Sequence, residues 1–229
     1  MDKVKRSSLG RPFMDTVWMR DSTGEFIDIH QRLFSYEETL SFFKTVERES
    51  DVHKYCTGNN AGGRWVFQVF NKEFVTELAE VIRTILRAIA SREPVVEVMA
   101  GDGRLTEFLR PLLDREIVST DTRDGRYDIA YPKWVERMDA LEAIARYKPS
   151  CVVICWEPYL SMAGINVVKK KIPTVWIGDP ERCGHKDLFK TKSIRRGSRR
   201  ALCCQDSFAD HVFRSDIFLF NCRTKWFKP

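Results

Sequence analysis

Val95-Val96-Glu97-Val98-Met99-Ala100-Gly101-Asp102-Gly103-Arg104-Leu105-Thr106 reads as a buried strand that passes through Gly-x-Gly into a helix. The glycines let the backbone turn tightly and leave room for a ligand, and the free amides of a helix start favour a carboxylate or phosphate. A plain strand-to-helix turn has the same outline, so the fold follows from this stretch more directly than the ligand does. Two details separate it from a dinucleotide site. The third glycine of G-x-G-x-x-G, which allows close packing around a pyrophosphate, is Thr106 here. In addition, Glu97 places an acid inside the strand, where a carboxylate suits a cationic ammonium.

Downstream, short apolar runs alternate with helical ones: Leu105 to Leu113, Ile117 to Thr120, Leu141 to Tyr147, Cys151 to Cys155 and Thr174 to Ile177. Strand and helix in repetition predict a Rossmann-like, doubly wound α/β fold with a mostly parallel sheet. Ala201 to Cys204 and Ile217 to Cys222 have no helix-length segment between them. They are expected to form an antiparallel pair at the C-terminal sheet edge.

Upstream, Ser35-Tyr36-Glu37-Glu38 has the form of a capping box ahead of Leu40, Phe43 and Val46 at helical spacing. Thr57 to Gly63 reads as a loop. Asn71 is placed to cap a longer helix with a stripe of Phe74, Leu78, Val81, Ile85 and Ile89, ending before Pro94. The expected division is a helical extension over 1–92, covering a cofactor cleft or forming an acceptor site, and an α/β domain over 93–229.

Of the 229 residues, 43% are apolar and 31% charged, the balance of an ordinary globular protein rather than a collagen-like, disordered or disulfide-scaffold chain. No apolar run approaches the roughly 18 residues that span a bilayer, and no apolar core follows the charged start Met1 to Arg6. The expectation is an intracellular protein, cytoplasmic or nuclear, with no membrane partner and its seven scattered cysteines reduced. The net charge of +6 is carried by Lys190, Lys192, Arg195, Arg196, Arg199 and Arg200 in one acid-free run. With Gly197 and Ser198 it reads as a mobile loop and a candidate contact for nucleic-acid phosphates, although it lacks interleaved aromatics.

The residues Glu97, Gly101, Gly103 and Thr106 match the form acid-x-x-x-Gly-x-Gly-x-x-Thr, and on them the stretch resembles the first motif of the class I S-adenosylmethionine (SAM) dependent methyltransferases. The resemblance covers about Pro94 to Asp179. It implies SAM as cofactor, with Glu97 near the methionine amine and Gly101 and Gly103 beneath the ligand. It also implies that Asp121, ending the second strand, binds the ribose hydroxyls, although a strand-end cap is the plainer role. Asp139 and Ala140 align with the adenine contact, but Asp139-Ala140-Leu141-Glu142 fits a helix cap equally well. The stretch Thr122 to Trp134 is short, so the helix usual at this point looks truncated.

The strand Cys151 to Cys155 delivers Trp156-Glu157-Pro158-Tyr159 to the carboxyl edge of the sheet, where open α/β sheets bind ligands. Amine-methylating members of the family carry Asp/Asn-Pro-Pro-aromatic there, which this chain lacks. Methyl transfer needs positioning and exclusion of water more than a general base. On that ground Trp156 and Tyr159 are candidates to wall the site, and Glu157 or Asp179 to orient an acceptor. Cys183-Gly184-His185 with Cys203, Cys204 and His211 matches no familiar zinc knuckle, and no metal is expected. The leading function is methyl transfer from SAM to an unidentified acceptor. The competing functions are a catalytically inactive methyltransferase-fold binding or regulatory protein and an NAD-dependent oxidoreductase.

Overall fold

The structure is a computed structural model that describes residues 27–60, 62–124 and 129–227. The helix α1 (Tyr36–Glu49) begins at a complete capping box: Ser35 Oγ accepts from the Glu38 amide at 3.2 Å, and Glu38 accepts from the Ser35 amide at 2.7 Å. It buries Leu40, Phe42, Phe43 and Val46. A short α2 (Val52–Cys56) and strand β1 (Gln68–Val69) lead to the long helix α3 (Lys72–Ile89). Asn71 caps α3 as its periodicity predicts, and Ala90 ends it in the left-handed conformation.

The central sheet then forms in chain order. Strand β2 (Val95–Val98) precedes α4 (Arg104–Leu109), which runs into a 3-10 turn over Arg110–Leu112. Next come β3 (Ile117–Asp121), β4 (Val135–Arg137), α5 (Ala140–Tyr147), β5 (Cys151–Cys155), α6 (Ala163–Lys169) and β6 (Thr174–Gly178). The chain closes with β7 (Ser193–Arg196), β8 (Leu202–Cys203) and β9 (Asp216–Phe220). The spatial order is β4-β3-β2-β5-β6-β9-β7. Pairing is parallel from β4 through β6 and antiparallel on both sides of β9.

Alternation along the strands divides the core into two layers. Val95, Cys151, Val153, Val175 and Ile217 pack with Phe74, Leu78, Ile82 and Ile85 of α3, and Val96, Val98, Val152, Ile154 and Trp176 pack with Ala143 and Ile144 of α5 and Val167 and Val168 of α6. Covering both faces is what allows these strands to read as unbroken apolar runs. A third cluster joins α1 and α2 to the β8 region, with Phe43 stacked on Phe208 at 4.6 Å between ring centres. No described helix is long and apolar enough to cross a membrane.

The C-terminal edge is antiparallel as expected, but two of its details are corrected. Leu202–Cys203 does not pair with β9. It pairs with Gln68–Val69 in a separate two-stranded ladder, and the partner of β9 is Ser193–Arg196. The run 190–200 is therefore not a free loop. Ile194 packs toward the core, Arg195 forms an ion pair with Asp216 of the neighbouring strand, and the exposed charges are those an edge strand tolerates. One inward apolar residue among six cations was too faint a period to register as a strand. In the β3–β4 connection no helix occurs among the described residues, and residues 125–128, which include Gly125, lie outside them.

Candidate active site

The strand order reverses at β2: the chain proceeds from β2 outward through β3 to β4, then returns to build β5 and β6 on the other side. A crevice opens at the carboxyl ends of strands flanking such a switch point. Here it is lined by Glu97, Met99 to Asp102, Asp121, Tyr131, Cys155 and Trp156, together with His30, Gly62 to Trp65 and Phe67 from the N-terminal segment.

The two glycines of the turn do different work. Gly101 has φ 57° and faces open space, since a methyl group added there would meet nothing nearer than Ile129 Cδ1 at 3.7 Å. Gly103 has φ 70°, and an added methyl group would lie 2.5 Å from the Trp134 ring and 2.8 Å from Val135. The first therefore keeps the crevice floor clear, and the second permits helix and strand to pack closely. Met99 also takes a positive φ of 55°, a conformation that a residue with a β-carbon adopts at a cost.

Glu97 is 3% exposed. One carboxylate oxygen accepts from the Thr106 amide at 3.1 Å and the Thr106 hydroxyl at 2.5 Å, with Ser119 Oγ at 3.5 Å. The other oxygen has no hydrogen-bond partner among the described residues. Burial pushes this carboxyl up to about 7; the Thr106 hydrogen bonds oppose the rise and the Asp102 charge adds to it. Asp121 accepts from the Gly101 amide at 2.9 Å and the Arg123 amide at 2.7 Å. Tyr131, also beside Asp121, has its hydroxyl pushed up to about 12, first by burial and then by that carboxylate.

The buried His30 ring reaches Asp102 at 2.6 Å, while its Nδ1 is enclosed without a partner. Burial alone would raise the Asp102 carboxyl, but the His30 hydrogen bond and charge, with Arg104, outweigh it and hold the group below its ordinary value. His30 thus ties the N-terminal segment to the glycine turn. The Gly62 to Phe67 stretch supplies the opposite wall. Trp65 stacks on Phe67 and Phe67 on Trp156, each at 5.8 Å between ring centres. Trp156, at φ 56°, donates from Nε1 to Gln68 at 2.8 Å.

No family model matches the chain, and no curated protein matches it. Among solved structures it is similar to the Thermoplasma acidophilum protein 1320, with 13% identity over 66% of this chain and 96% of that one and a TM-score of 0.36. It is also similar to the CurJ carbon methyltransferase, with 10% identity over 64% of this chain and 53% of that one and a TM-score of 0.39. The ribosomal protein L11 methylase from Lactobacillus delbrueckii subsp. bulgaricus has 16% identity over 69% of this chain and 82% of that one, with a TM-score of 0.33. The chain thus spans about half the length of the CurJ methyltransferase chain.

Of the residues singled out in the sequence, Glu97, Gly101, Asp121 and Trp156 meet in one crevice. Gly103 lies beneath it in packing. Asp139 and Ala140 are not part of the lining: Asp139 caps α5 by accepting from the Leu141 and Glu142 amides at 2.8 and 3.0 Å, and Ala140 is buried against α5's neighbours. Glu157 lines a neighbouring cleft rather than this crevice. It is fully buried, and its oxygens accept from the Gly164 amide at 2.7 Å and Trp176 Nε1 at 3.2 Å, so it fastens the start of α6. Burial again raises this carboxyl. Asp179 accepts from the Glu181 amide at 3.0 Å and shapes the turn after β6. Tyr159 stands 60% exposed beside a neighbouring cleft.

The cysteines are unpaired, and among the described residues no group of three or more His, Cys, Asp or Glu is placed to hold a metal ion. Cys151 packs in the core and Cys155 against it. The wall residues His30, Arg64, Trp65, Phe67 and Gln68 carry no motif of their own in the sequence, lying outside the glycine loop and before the Asn71 cap or, for His30, ahead of α1. The alternation Trp65-Val66-Phe67-Gln68-Val69 was the available signal.

Proposed function

We propose that this chain is a SAM-dependent methyltransferase whose cofactor lies over Gly101. The observation that carries the reading is the company Gly101 keeps: an open left-handed glycine at the switch of strand order, ringed by Glu97, Asp102 and Asp121. In the lining the four carboxylates of Glu97, Asp102, Asp121 and Asp124 outnumber the two guanidinium groups of Arg64 and Arg104, a balance that favours a cation over the pyrophosphate of a dinucleotide and weighs against an NAD-dependent oxidoreductase. The free oxygen of Glu97 meets the ammonium of an amino-acid moiety. Asp121 takes two ribose hydroxyls, exchanging its hold on the Gly101 amide for them. Tyr131 and Ile129 cover the base, and Trp156 with Phe67 excludes water at the acceptor end.

When bound, SAM supplies an electrophilic methyl group on a sulfonium, and the chain's task is to hold an acceptor in line with it. On this reading His30 with Trp65 and Phe67 forms the side of the crevice facing the cofactor. A second reading, a binding module without catalysis, draws on Glu157, whose oxygens are committed to α6 rather than to an acceptor. Calorimetric titration with S-adenosylhomocysteine tests the first reading: saturable heat is expected, weakened at least tenfold in Asp121→Ala, while NADH gives none. Silence with S-adenosylhomocysteine overturns it. Transfer of a labelled methyl group from SAM to any component of a cell extract removes the non-catalytic reading.

A further inference from the structure

A second cleft shares the wall of Trp65, Phe67, Trp156 and Pro158 with the first, and adds Tyr159, Arg182 and Gln205, with Glu157 and Glu181 also in its lining. Its aromatic wall is held in place before any ligand arrives. Gln68 Oε1 accepts from Trp156 Nε1 and, at 2.7 Å, from Ser215 Oγ, while Gln68 Nε2 donates to the Leu202 carbonyl at 2.7 Å. A preset stack of rings, flanked by an amide and a guanidinium, is chemistry for a planar heteroaromatic ring: π-faces give affinity and the polar edge groups give orientation.

The basic run arrives at the same place. Strand β7 is antiparallel to β9, which is antiparallel to β6, so β7 points the same way as β6, and Arg196 lies level with Ile177 across Ile217. Residues 197–200 therefore emerge at the carboxyl edge, where both clefts open. Arg195 is engaged by Asp216, and Arg196 lies over Phe227. Arg199 and Arg200 are exposed and have no carboxylate partner among the described residues. Their backbone is nonetheless anchored: Ser198 donates to Glu77 at 2.7 Å, and the Arg200 carbonyl accepts from Asn71 at 2.9 Å. Four residues on, the Cys204 amide donates to the Phe67 carbonyl at 3.0 Å, inside the aromatic wall. At about 3.3 Å per extended residue, the backbone of Arg200 stands within about 13 Å, and that of Arg199 within about 17 Å, of the residue bonded to Phe67. The aromatics that the basic run lacks in sequence are thus supplied by residues 65, 67 and 156.

We propose that the methyl acceptor is a base of a single-stranded polynucleotide, seated against the Trp65–Phe67–Trp156 wall with its adjoining phosphates on Arg199 and Arg200. This rests on the reading of the first cleft as the SAM site. In the transfer, a nitrogen lone pair of the base forms a bond to the methyl carbon. The carbon–sulfur bond breaks with its electron pair returning to sulfur, and the proton displaced from nitrogen passes to solvent.

The test is fluorescence anisotropy of the full chain with short labelled single-stranded RNA and DNA oligonucleotides across a salt series, beside free nucleosides. At least one oligonucleotide binds, and the Arg199→Glu/Arg200→Glu variant loses tenfold or more in affinity. Its salt slope falls by about 1.4, at about 0.7 per phosphate contact. The RNA and DNA arms decide which polymer is the acceptor, and tritiated methyl label from SAM follows that polymer. Absence of binding to both polymers, unchanged affinity in the double variant, or free nucleosides that accept label as well as polymer would each overturn the proposal. Titration of the same variant with S-adenosylhomocysteine keeps the two readings apart. Unchanged heat in the variant shows that it is folded with its cofactor cleft intact. Oligonucleotide binding in a wild-type chain that ignores S-adenosylhomocysteine supports the polynucleotide site and discards the cofactor assignment.

Discussion

Glu97 and Glu157 are both buried carboxylates near the carboxyl edge of the same parallel sheet, and burial raises both above their ordinary range. They differ in what their oxygens touch. Glu157 accepts from the Gly164 amide and the Trp176 indole, two donors that would otherwise be stranded in the core. Glu97 gives one oxygen to Thr106 and leaves the other in the crevice. A buried charge satisfied on both oxygens builds the fold, and one satisfied on a single side is available to a ligand. Residue type and burial do not distinguish the two, and the hydrogen-bond partners do.

If that contrast is right, the largest effects on stability fall on the Glu157 side. Glu157→Ala leaves two donors unpaired beside a new void and should lower unfolding free energy by about 3 kcal/mol in urea titrations. Gly164→Ala, whose added methyl group would lie 2.2 Å from Glu157 Oε2, should cost a similar amount. A loss below about 1 kcal/mol in both would return Glu157 to the list of acceptor contacts.

The glycine pair gives the next effect. Gly103→Ala combines left-handed strain with the Trp134 and Val135 clash, for about 2–3 kcal/mol of stability. Gly101→Ala carries only the strain, about 1–2 kcal/mol. Yet it should weaken S-adenosylhomocysteine binding more per folded molecule. Equal binding losses in the two variants would contradict the assignment of Gly101 to the crevice floor.

Glu97 itself should show its role through pH. Its carboxyl ionises at about 4.5 when unfolded and at about 7 when folded, so the folded chain holds the extra proton between those values. Its unfavourable contribution to stability is absent below about pH 4.5, grows through that window and is complete above about pH 7. Asp206, raised by burial to about 6, acts in the same direction, so the difference between wild type and Glu97→Gln isolates the Glu97 share. A cation in the crevice favours the ionised acid. Cofactor affinity should therefore rise with pH up to about 7 and level off, and this dependence should vanish in Glu97→Gln. The smallest effect is expected for Trp156→Phe, which keeps the ring stack and loses the Gln68 bond, for about 1 kcal/mol.

The sheet was legible in the sequence because parallel strands buried on both faces leave largely apolar runs, interrupted in β2 by Glu97, and strands Val95–Val98, Cys151–Cys155 and Thr174–Gly178 fall on those runs. The helices were legible where a cap announced them, at Ser35 and Asn71. The edge strand was not, because Ser193–Arg196 shows a single inward residue against a charged background. The turn from Glu97 to Gly103 was legible as a strand passing through two positive-φ glycines into a helix, because glycine adopts that conformation most easily. The far wall of the crevice was not. His30 and Phe67 are joined to the crevice by contacts across 72 and 89 positions, to Asp102 and Trp156, and local patterning carries no record of such contacts.

The most direct examination of the central claim is a crystal structure of the chain with S-adenosylhomocysteine. The account predicts the nucleoside over Gly101, the amine within hydrogen-bonding distance of Glu97, and the ribose hydroxyls on Asp121 in place of the Gly101 amide. Density for the ligand elsewhere, or a crevice that stays closed at saturating ligand with the Asp121–Gly101 bond intact, would contradict it.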